Sequence, residues 1–411
     1  MIKNNLSSSV ISWISFDAGS TIFYSGVIGY FFPLWLVNNK GSNDSDFALT
    51  IAIATGVTLI LGPTLGNLMD IYFRKKYVVL SFTLATCLSI AVYGIFVNIF
   101  IILLLFAISM ICLNIAEIAY NSMLTDISTE QNRGMIGGLG IGIGYAGSFI
   151  VVLIGIFINS RFGSYELAFL IISIILALFA IQLVLFTDSI QKPQKSKPIT
   201  QNEKYPIPQI INPMRYLFDS RFSKIRKFLF VKFWYMSAIN AGITFITLFA
   251  VETVGIPPDK IPGFLFVGII FSIPGAFLWG VITDTYGARR CLILVLTCWV
   301  VALLSVVLIP VLNLDNNLWW ILISYTGFLL GGVWVADRPI LIHYSSENDI
   351  NESFGLYNVA GRGAYLFGSF LWWFFTAFTP FGQVGALSAL VVCLCIALIL
   401  LIPCKFLSDI N

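Results

Sequence analysis

Six ionisable side chains lie inside long apolar segments of this 411-residue chain, where a charge is costly. A carboxylate in such a setting can take up and release a proton, and a guanidinium can bind an anion such as a carboxylate. Each charge costs on the order of 3 kcal/mol at the centre of a bilayer, so all six are expected to face a protein interior or water. The six are Asp17, Glu117, Lys232, Asp337, Arg338 and Arg362.

The segments that hold these charges dominate the composition. Hydrophobic residues make up 58% of the chain and charged residues 10%, whereas about 25% is usual in soluble domains. A helical span needs roughly 20 apolar residues, so the chain can supply about twelve. This excludes a soluble enzyme and a nucleic-acid binder, and runs this long also exclude an outer-membrane barrel. The predicted spans are 11–37, 47–69, 77–97, 99–124, 135–158, 165–187, 227–251, 261–283, 291–312, 318–342, 354–378 and 384–404.

A polar, proline-containing stretch divides the twelve spans into two sets of six. The sequence therefore predicts an all-α membrane protein with a six-helix N-terminal half (1–187), a cytoplasmic linker (188–226) and a six-helix C-terminal half (227–411). The distribution of Lys and Arg gives the orientation, because basic loops stay in the cytoplasm. Outside the linker, the basic residues of one side are Lys3, Arg74, Lys75, Lys76, Arg133, Arg289, Arg290 and Lys405, against Lys40, Arg161 and Lys260 on the other. We expect both termini on the cytoplasmic side of a plasma (bacterial inner) membrane.

A short motif occurs once in each half, where the second span of the half ends. Each copy is G-x-x-x-D followed by basic residues, and the two Asp residues are 214 positions apart. Glycine allows two helices to approach closely, and the Asp can pair with the following cations. The motif predicts a cytoplasmic gate that holds the two halves together and opens during function. Its residues, with Arg362 added, are Gly66, Asp70, Arg74, Lys75, Gly280, Asp284, Arg289, Arg290 and Arg362.

Two further pairs of segments echo each other between the halves. Asp17-Ala18-Gly19 matches Asn240-Ala241-Gly242, and Gly147-Ser148-Phe149 matches Gly368-Ser369-Phe370. Repeats of six spans, each an inverted 3+3, are typical of one large class of secondary transporter. The pattern resembles the major facilitator fold, in which the first helix of each three-span unit lines the central cavity.

Five of the six intramembrane charges fall on those first helices. One interpretation is a transport cavity or proton-coupling site that contains Asp17, Glu117, Asn240, Asp337 and Arg338. The other is a charge network of three acids and three bases that only joins the two halves. The residue types favour neither over the other.

Several stretches resemble one branch of the major facilitators, the vacuolar amino-acid effluxer (autophagy-related protein 22-like) family with its bacterial relatives. Trp13, Asp17 and Phe32-Pro33 are similar to its W-x-x-x-D…FP pattern. Tyr120-Asn121 begins a stretch similar to Y-N-A-L-L-P-D, and Gly331-Gly332-Val333 with Arg338 resembles G-G-V-Q-x-x-S-R-S. Trp334 replaces Gln, and Asp337 and Pro339 replace the Ser residues beside Arg338. The resemblance implies export of small metabolites, with amino acids first, and it marks Tyr120, Asn121, Gly331 and Gly332 as family positions.

The functional prediction is a transporter that moves a small solute, with an amino acid as the first candidate, by alternating access and with proton coupling. Its partners would be the solute, protons and the lipid bilayer. We expect a monomer without enzymatic activity, cofactor, metal or nucleic acid, because no catalytic motif occurs. One alternative is a drug/proton antiporter, although Tyr145 stands where the antiporter motif has Pro. The other is a non-transporting membrane receptor or scaffold with the same fold.

Overall fold

The computed structural model describes residues 7–72, 74–128, 133–161, 164–187, 223–345 and 350–402, which form twelve long helices, two short 3-10 turns and no strand. The helices coincide with the twelve predicted spans, so the predicted fold class is confirmed. They are α1 (Ser8–Asn38), α2 (Asp44–Tyr72), α3 (Lys75–Ala91), α4 (Ile99–Ile127), α5 (Arg133–Arg161), α6 (Tyr165–Phe186), α7 (Ser223–Thr253), α8 (Ile261–Tyr286), α9 (Ala288–Val311), α10 (Leu318–Tyr344), α11 (Ile350–Phe378) and α12 (Gly382–Leu401).

The surface of these helices is suited to lipid. Ten of the twelve, counted over the described residues, are long and apolar enough to cross a membrane; α5 and α11 are the other two. Large apolar side chains are widely exposed, and Ile60, Leu185 and Phe277 each expose more than 70% of their surface. Because backbone groups within helices bond one another, such helices can lie in hydrocarbon without unsatisfied polar groups. The protein is therefore an integral, multi-pass membrane protein.

Local sequence signals explain several helix ends. The Ser7 hydroxyl accepts from the Val10 N–H at 3.3 Å and begins α1, and the Asn98 amide oxygen accepts from the Phe100 N–H at 2.9 Å and begins α4. Such caps satisfy N–H groups that have no partner within the helix. Gly287 joins α8 to α9 with φ +85°, a conformation that side chains other than glycine rarely adopt.

The chain forms two compact units, Met1–Pro206 and Ile207–Asn411, with the same order of helix contacts in each. In the first unit α1 packs on α5 and α6, while α4 packs on α2 and α3. In the second unit α7 packs on α11 and α12, while α10 packs on α8 and α9. Each unit thus repeats one arrangement of six helices, as the sequence echoes predicted.

The echoed segments contact each other within each unit. A Cβ atom on Gly147 in α5 would overlap the backbone carbonyl of Ala18 in α1. A Cβ atom on Gly368 in α11 would likewise overlap the carbonyl of Ser237 in α7. In both units, a glycine therefore allows the first and fifth helices to touch through their backbones.

The first helix of each unit also contains a π-helical segment, which sequence periodicity did not predict. In α1 it spans Phe23–Phe31, and in α7 it spans Phe249–Thr253. A π-helical turn inserts extra residues without ending the helix, so an apolar run of this length looks the same with or without it. The two segments lie at corresponding places, toward the C-terminal end of each first helix.

Candidate functional site

Asp17, in the middle of the α-helical part of α1, faces the glycine-rich helix α5. Its Oδ2 lies 3.4 Å from where a Cβ atom would stand on Gly140, and 3.4 Å from the equivalent point on Gly144. Larger residues at either position would therefore press against the carboxylate. Asp17 is half-buried, and its carboxylate has no hydrogen-bond donor or cation among the residues that the structure describes. This leaves a carboxylate in the membrane-spanning part of α1 available to a solute or proton.

A second polar group of the N-terminal half joins α1 to α4. The Tyr24 hydroxyl lies 2.9 Å from Asn114 Oδ1 and 3.0 Å from Glu117 Oε2, so its single hydrogen is shared between two acceptors. Asp17, Thr21 and Tyr24 follow at intervals of four and three residues, which places them on one face of the helix. Sequence reasoning singled out Glu117 but missed Tyr24, although this spacing could have indicated it.

The family position Tyr120 has a neutral, structural partner. The Trp13 Nε1–H donates to the Tyr120 carbonyl at 2.9 Å, and the Tyr120 hydroxyl donates to the Trp13 carbonyl at 3.1 Å. The two rings stack with centroids 4.5 Å apart. We call this reciprocal contact the α1–α4 aromatic tie. Asn121, the next family position, is exposed.

In the C-terminal half, two of the intramembrane charges form a buried ion pair. Lys232 Nζ in α7 lies 2.6 Å from Asp337 Oδ2 in α10, and their side chains expose only 2% and 0% of their surface. Both residues belong to the same half. The interpretation in which all six charges join one half to the other therefore does not account for these two.

Two tyrosines complete the surroundings of this ion pair. The Tyr235 hydroxyl donates to Asp337 Oδ2 at 3.1 Å, and the Tyr357 hydroxyl of α11 lies 2.9 Å from both carboxylate oxygens. Lys232 Nζ also lies 3.5 Å from the centre of the Tyr357 ring, a cation–π contact. We call Lys232, Tyr235, Asp337 and Tyr357 the ion-pair cluster. It connects three helices, α7, α10 and α11.

The other predicted residues of the C-terminal half are less enclosed. Arg338 and Arg362 are half-buried, and Arg362 has no hydrogen-bond or ion-pair partner within the described part of the chain. Asn240, the counterpart of Asp17, is half-buried as well. Its carbonyl accepts from the Thr244 hydroxyl, which lies 3.1 Å from the Tyr365 hydroxyl. Two guanidinium groups and an amide are thus partly accessible in this half.

The paired family glycines of α10 have a packing role. A Cβ atom on Gly331 would lie 2.7 Å from the Ala276 Cβ of α8, and one on Gly332 would lie 2.8 Å from the Trp279 ring. At Gly280, the motif glycine, the nearest atom to an added Cβ is a Val335 methyl at 4.0 Å. Within the C-terminal half, the close approach of α8 and α10 therefore occurs at other glycines than the one the motif predicts.

Several basic residues of the predicted gate bond to their own half. Lys75 pairs with Asp126 Oδ2 at 3.0 Å and donates to the Ser122 carbonyl at 3.1 Å, near the end of α4. Arg289 donates to the Ile402 carbonyl at 2.8 Å, at the end of α12. Cations near helix C-termini satisfy unpaired carbonyls and the helix dipole.

The remaining members of the predicted gate show no such bond. Arg74, Asp284 and Arg290 are exposed. The contacts of Gly66 and Asp70 lie outside the described residues.

No group of three or more His, Cys, Asp or Glu side chains that could hold a metal ion is found in the part of the chain that the structure describes. What the geometry offers is a partnerless carboxylate in one half and accessible guanidinium groups in the other. These groups are suited to bind charged solutes or protons.

Comparisons with known proteins agree with this arrangement. The family model described as Major Facilitator Superfamily matches residues 18–369. An uncharacterized MFS-type transporter, YxiO of Bacillus subtilis (strain 168), is 23% identical over 379 residues, covering 88% of this chain and 86% of its own. An uncharacterized protein of Aquifex aeolicus (strain VF5) is 25% identical over 374 residues, covering 90% and 89%.

Two solved structures show the same fold at low identity. A nucleoside transporter, NupG, superposes with a TM-score of 0.74 and 9% identity, covering 96% of this chain and 99% of its own. A peptide transporter, POT, in complex with sulfate superposes with a TM-score of 0.71 and 14% identity, covering 98% and 95%. At such identities the likeness concerns the fold, not the solute.

Proposed function

Because the chain belongs to the Major Facilitator Superfamily and is thus a secondary transporter and not an enzyme, we propose that it moves an amino acid across the membrane by alternating access, coupled to protons. We place it in the plasma (bacterial inner) membrane, with both termini in the cytoplasm, because the basic loops collect on that side. We further propose that it works as a monomer and that its two G-x-x-x-D turns form the cytoplasmic gate.

The observation that carries this proposal is the partnerless carboxylate of Asp17. A buried carboxylate without a cation is costly unless a function retains it, and in a membrane helix it marks a solute or proton pathway. The accessible Arg338 and Arg362 have the opposite charge and suit a carboxylate. A solute with an ammonium group and a carboxylate matches both charges, and an amino acid is the simplest such solute. The resemblance to the amino-acid effluxer family supports the same choice.

Proton coupling is proposed for Asp17 and Glu117. A carboxylate that is alternately desolvated and exposed changes its affinity for a proton, which can link proton movement to solute movement. Tyr24 places a hydroxyl against Glu117 and Asn114, so proton uptake by Glu117 would rearrange this contact.

The test begins with purified protein. A thermal-stability screen against the twenty amino acids should give a rise in melting temperature for at least one, because a ligand that binds only the folded state stabilises it. Uptake of that amino acid into proteoliposomes, with and without a pH gradient, then measures transport and coupling.

The key variants are Asp17→Asn and Glu117→Gln, with Asp259→Asn as the matched control, since Asp259 is exposed in the α7–α8 connection. We expect the first two to lose the response to the pH gradient and the control to keep it. An unchanged response in the Asp17→Asn, Glu117→Gln double variant would refute the proton role. Uptake of lipophilic cations in place of amino acids would favour the drug/proton antiporter.

A further inference from the structure

The ion-pair cluster has a charged neighbour for which its own bonds do not account. Arg338 follows Asp337 in α10, is half-buried, and lies close enough to the Tyr357 hydroxyl to interact with it. Tyr357 therefore stands between the buried carboxylate of Asp337 and the more accessible guanidinium of Arg338. None of the other cluster residues is adjacent to Arg338 in the chain and also on a different helix of this contact.

The bonds of Asp337 fix α10 in one rotation about its axis. Lys232 and Tyr235 hold the carboxylate from α7, and Tyr357 holds it from α11. Consecutive residues of an α-helix point about 100° apart, so fixing Asp337 also fixes the direction of Arg338. The Tyr357 ring over Lys232 adds a cation–π contact that keeps the tyrosine itself in place.

We propose that Tyr357 is a positioning residue for Arg338, and that the Lys232–Asp337 pair acts as one neutral unit that aims this guanidinium at an anionic group of the solute. The proposal rests on the proposed function, in which Arg338 binds the solute carboxylate. It assigns no proton or solute to Asp337 or Lys232, because both are enclosed and paired with each other.

The chain offers a closely matched pair of variants. Tyr357→Phe and Tyr235→Phe each remove one hydroxyl that donates to Asp337 and keep the ring and the ion pair. Only Tyr357 also neighbours Arg338. A merely structural role predicts similar effects for the two variants, whereas positioning predicts that Arg338 changes in one of them.

The first readout does not need the solute. Phenylglyoxal modifies accessible arginines, and its rate at Arg338 can be followed by peptide mass spectrometry on protein in proteoliposomes. We expect Tyr357→Phe to raise this rate by about tenfold, the change that loss of one hydrogen bond to a charged group produces. Tyr235→Phe should leave the rate within about twofold of the unsubstituted protein, since it removes no contact to Arg338. Equal rates in the two variants would overturn the proposal.

Exchanging the two charges tests the neutral unit. The double variant Lys232→Asp, Asp337→Lys keeps a buried pair of opposite charges, so we expect Arg338 to keep its modification rate within about threefold. The single variant Lys232→Met should change the rate more than the exchange does. A folded exchange variant, judged by an unchanged melting temperature, with a rate as altered as in Lys232→Met would contradict the proposal.

Transport kinetics separate this proposal from the amino-acid proposal. For an amino acid found by the stability screen, Tyr357→Phe should raise KM by about tenfold with little change in the maximal rate, because the contact aims a binding group. Tyr235→Phe should leave KM unchanged. If no amino acid is transported, the amino-acid proposal fails, and the modification rates still decide whether Tyr357 positions Arg338.

Discussion

The two halves join their first and fourth helices by different chemistry. In the N-terminal half, the α1–α4 aromatic tie joins Trp13 to Tyr120 through two hydrogen bonds and a ring stack. In the C-terminal half, α7 and α10 are joined by the Lys232–Asp337 ion pair. The overall arrangement of helices is nevertheless the same.

This difference determines which charges remain accessible. A neutral tie uses no ionisable group, so the N-terminal half retains Asp17 without a cation. An ionic tie uses one acid and one base, and Arg338 and Arg362 remain half-buried in the C-terminal half. A repeated fold can thus acquire opposite polarity in its halves through the choice of internal contact. The predictions below test this comparison, in order of their expected effect on stability.

The largest effect is expected when the ion pair is broken from one side. Lys232→Met leaves Asp337 buried without its cation, which should lower the free energy of unfolding by about 3–5 kcal/mol. Unfolding of the purified protein in detergent, followed by tryptophan fluorescence, measures this. Lys260→Met is the control, because Lys260 is exposed. A loss below about 1 kcal/mol, the range of surface pairs, would show that the pair is not a buried tie.

The backbone contacts that the halves share should give a similar loss in each. Gly147→Ala and Gly368→Ala add a Cβ atom where a backbone carbonyl stands, which should cost about 1–3 kcal/mol of stability in either variant. Gly142→Ala and Gly361→Ala are matched controls, because no atom lies within 4 Å of the added Cβ. The controls should stabilise slightly, by about 0.5–1 kcal/mol, since alanine favours helix more than glycine. A loss at only one of Gly147 and Gly368 would mean that the two contacts are not equivalent.

The aromatic tie should contribute less than the ion pair. Tyr120→Phe removes one of its two hydrogen bonds and should lower stability by about 1 kcal/mol, with a larger loss for Trp13→Phe, which also changes the ring stack. A double-mutant cycle over the two variants measures the coupling between them. Trp299→Phe serves as the comparison, because the Trp299 Nε1–H has no partner among the described residues. Additive losses in the cycle would argue against a single coupled tie.

The smallest change in stability is expected at Asp17, together with a complete loss of proton coupling. Asp17→Asn removes no hydrogen bond or ion pair within the described residues, so the free energy of unfolding should stay within about 0.5 kcal/mol. Asp337→Asn, by contrast, disturbs the ion-pair cluster and should destabilise strongly. Measured together, these two substitutions show whether the carboxylates of the two halves differ in role. Similar losses of stability would remove the distinction.

Much of the fold could be predicted because the membrane acts as a uniform solvent. Long apolar runs and basic loops depend on composition alone, and the twelve predicted spans match the twelve helices. The echoed segments predicted which parts of the halves correspond, and Gly147 and Gly368 do make corresponding contacts. The π-helical segments of α1 and α7 could not be predicted, because an extra residue in a uniformly apolar helix leaves no periodic trace.

The candidate site could be predicted only in part. The sequence by itself determined which ionisable residues lie in the membrane, since their rarity among apolar residues marks them. Only the tertiary structure decided that Lys232 and Asp337 neutralise each other while Asp17 has no partner among the described residues. It also brought in the hydroxyls of Tyr24, Tyr235 and Tyr357, which sequence reasoning did not assign to the site. The physical reason is that pairing depends on distances of a few ångströms between side chains that are about a hundred residues apart in the chain, whereas burial in lipid is a property of each segment alone.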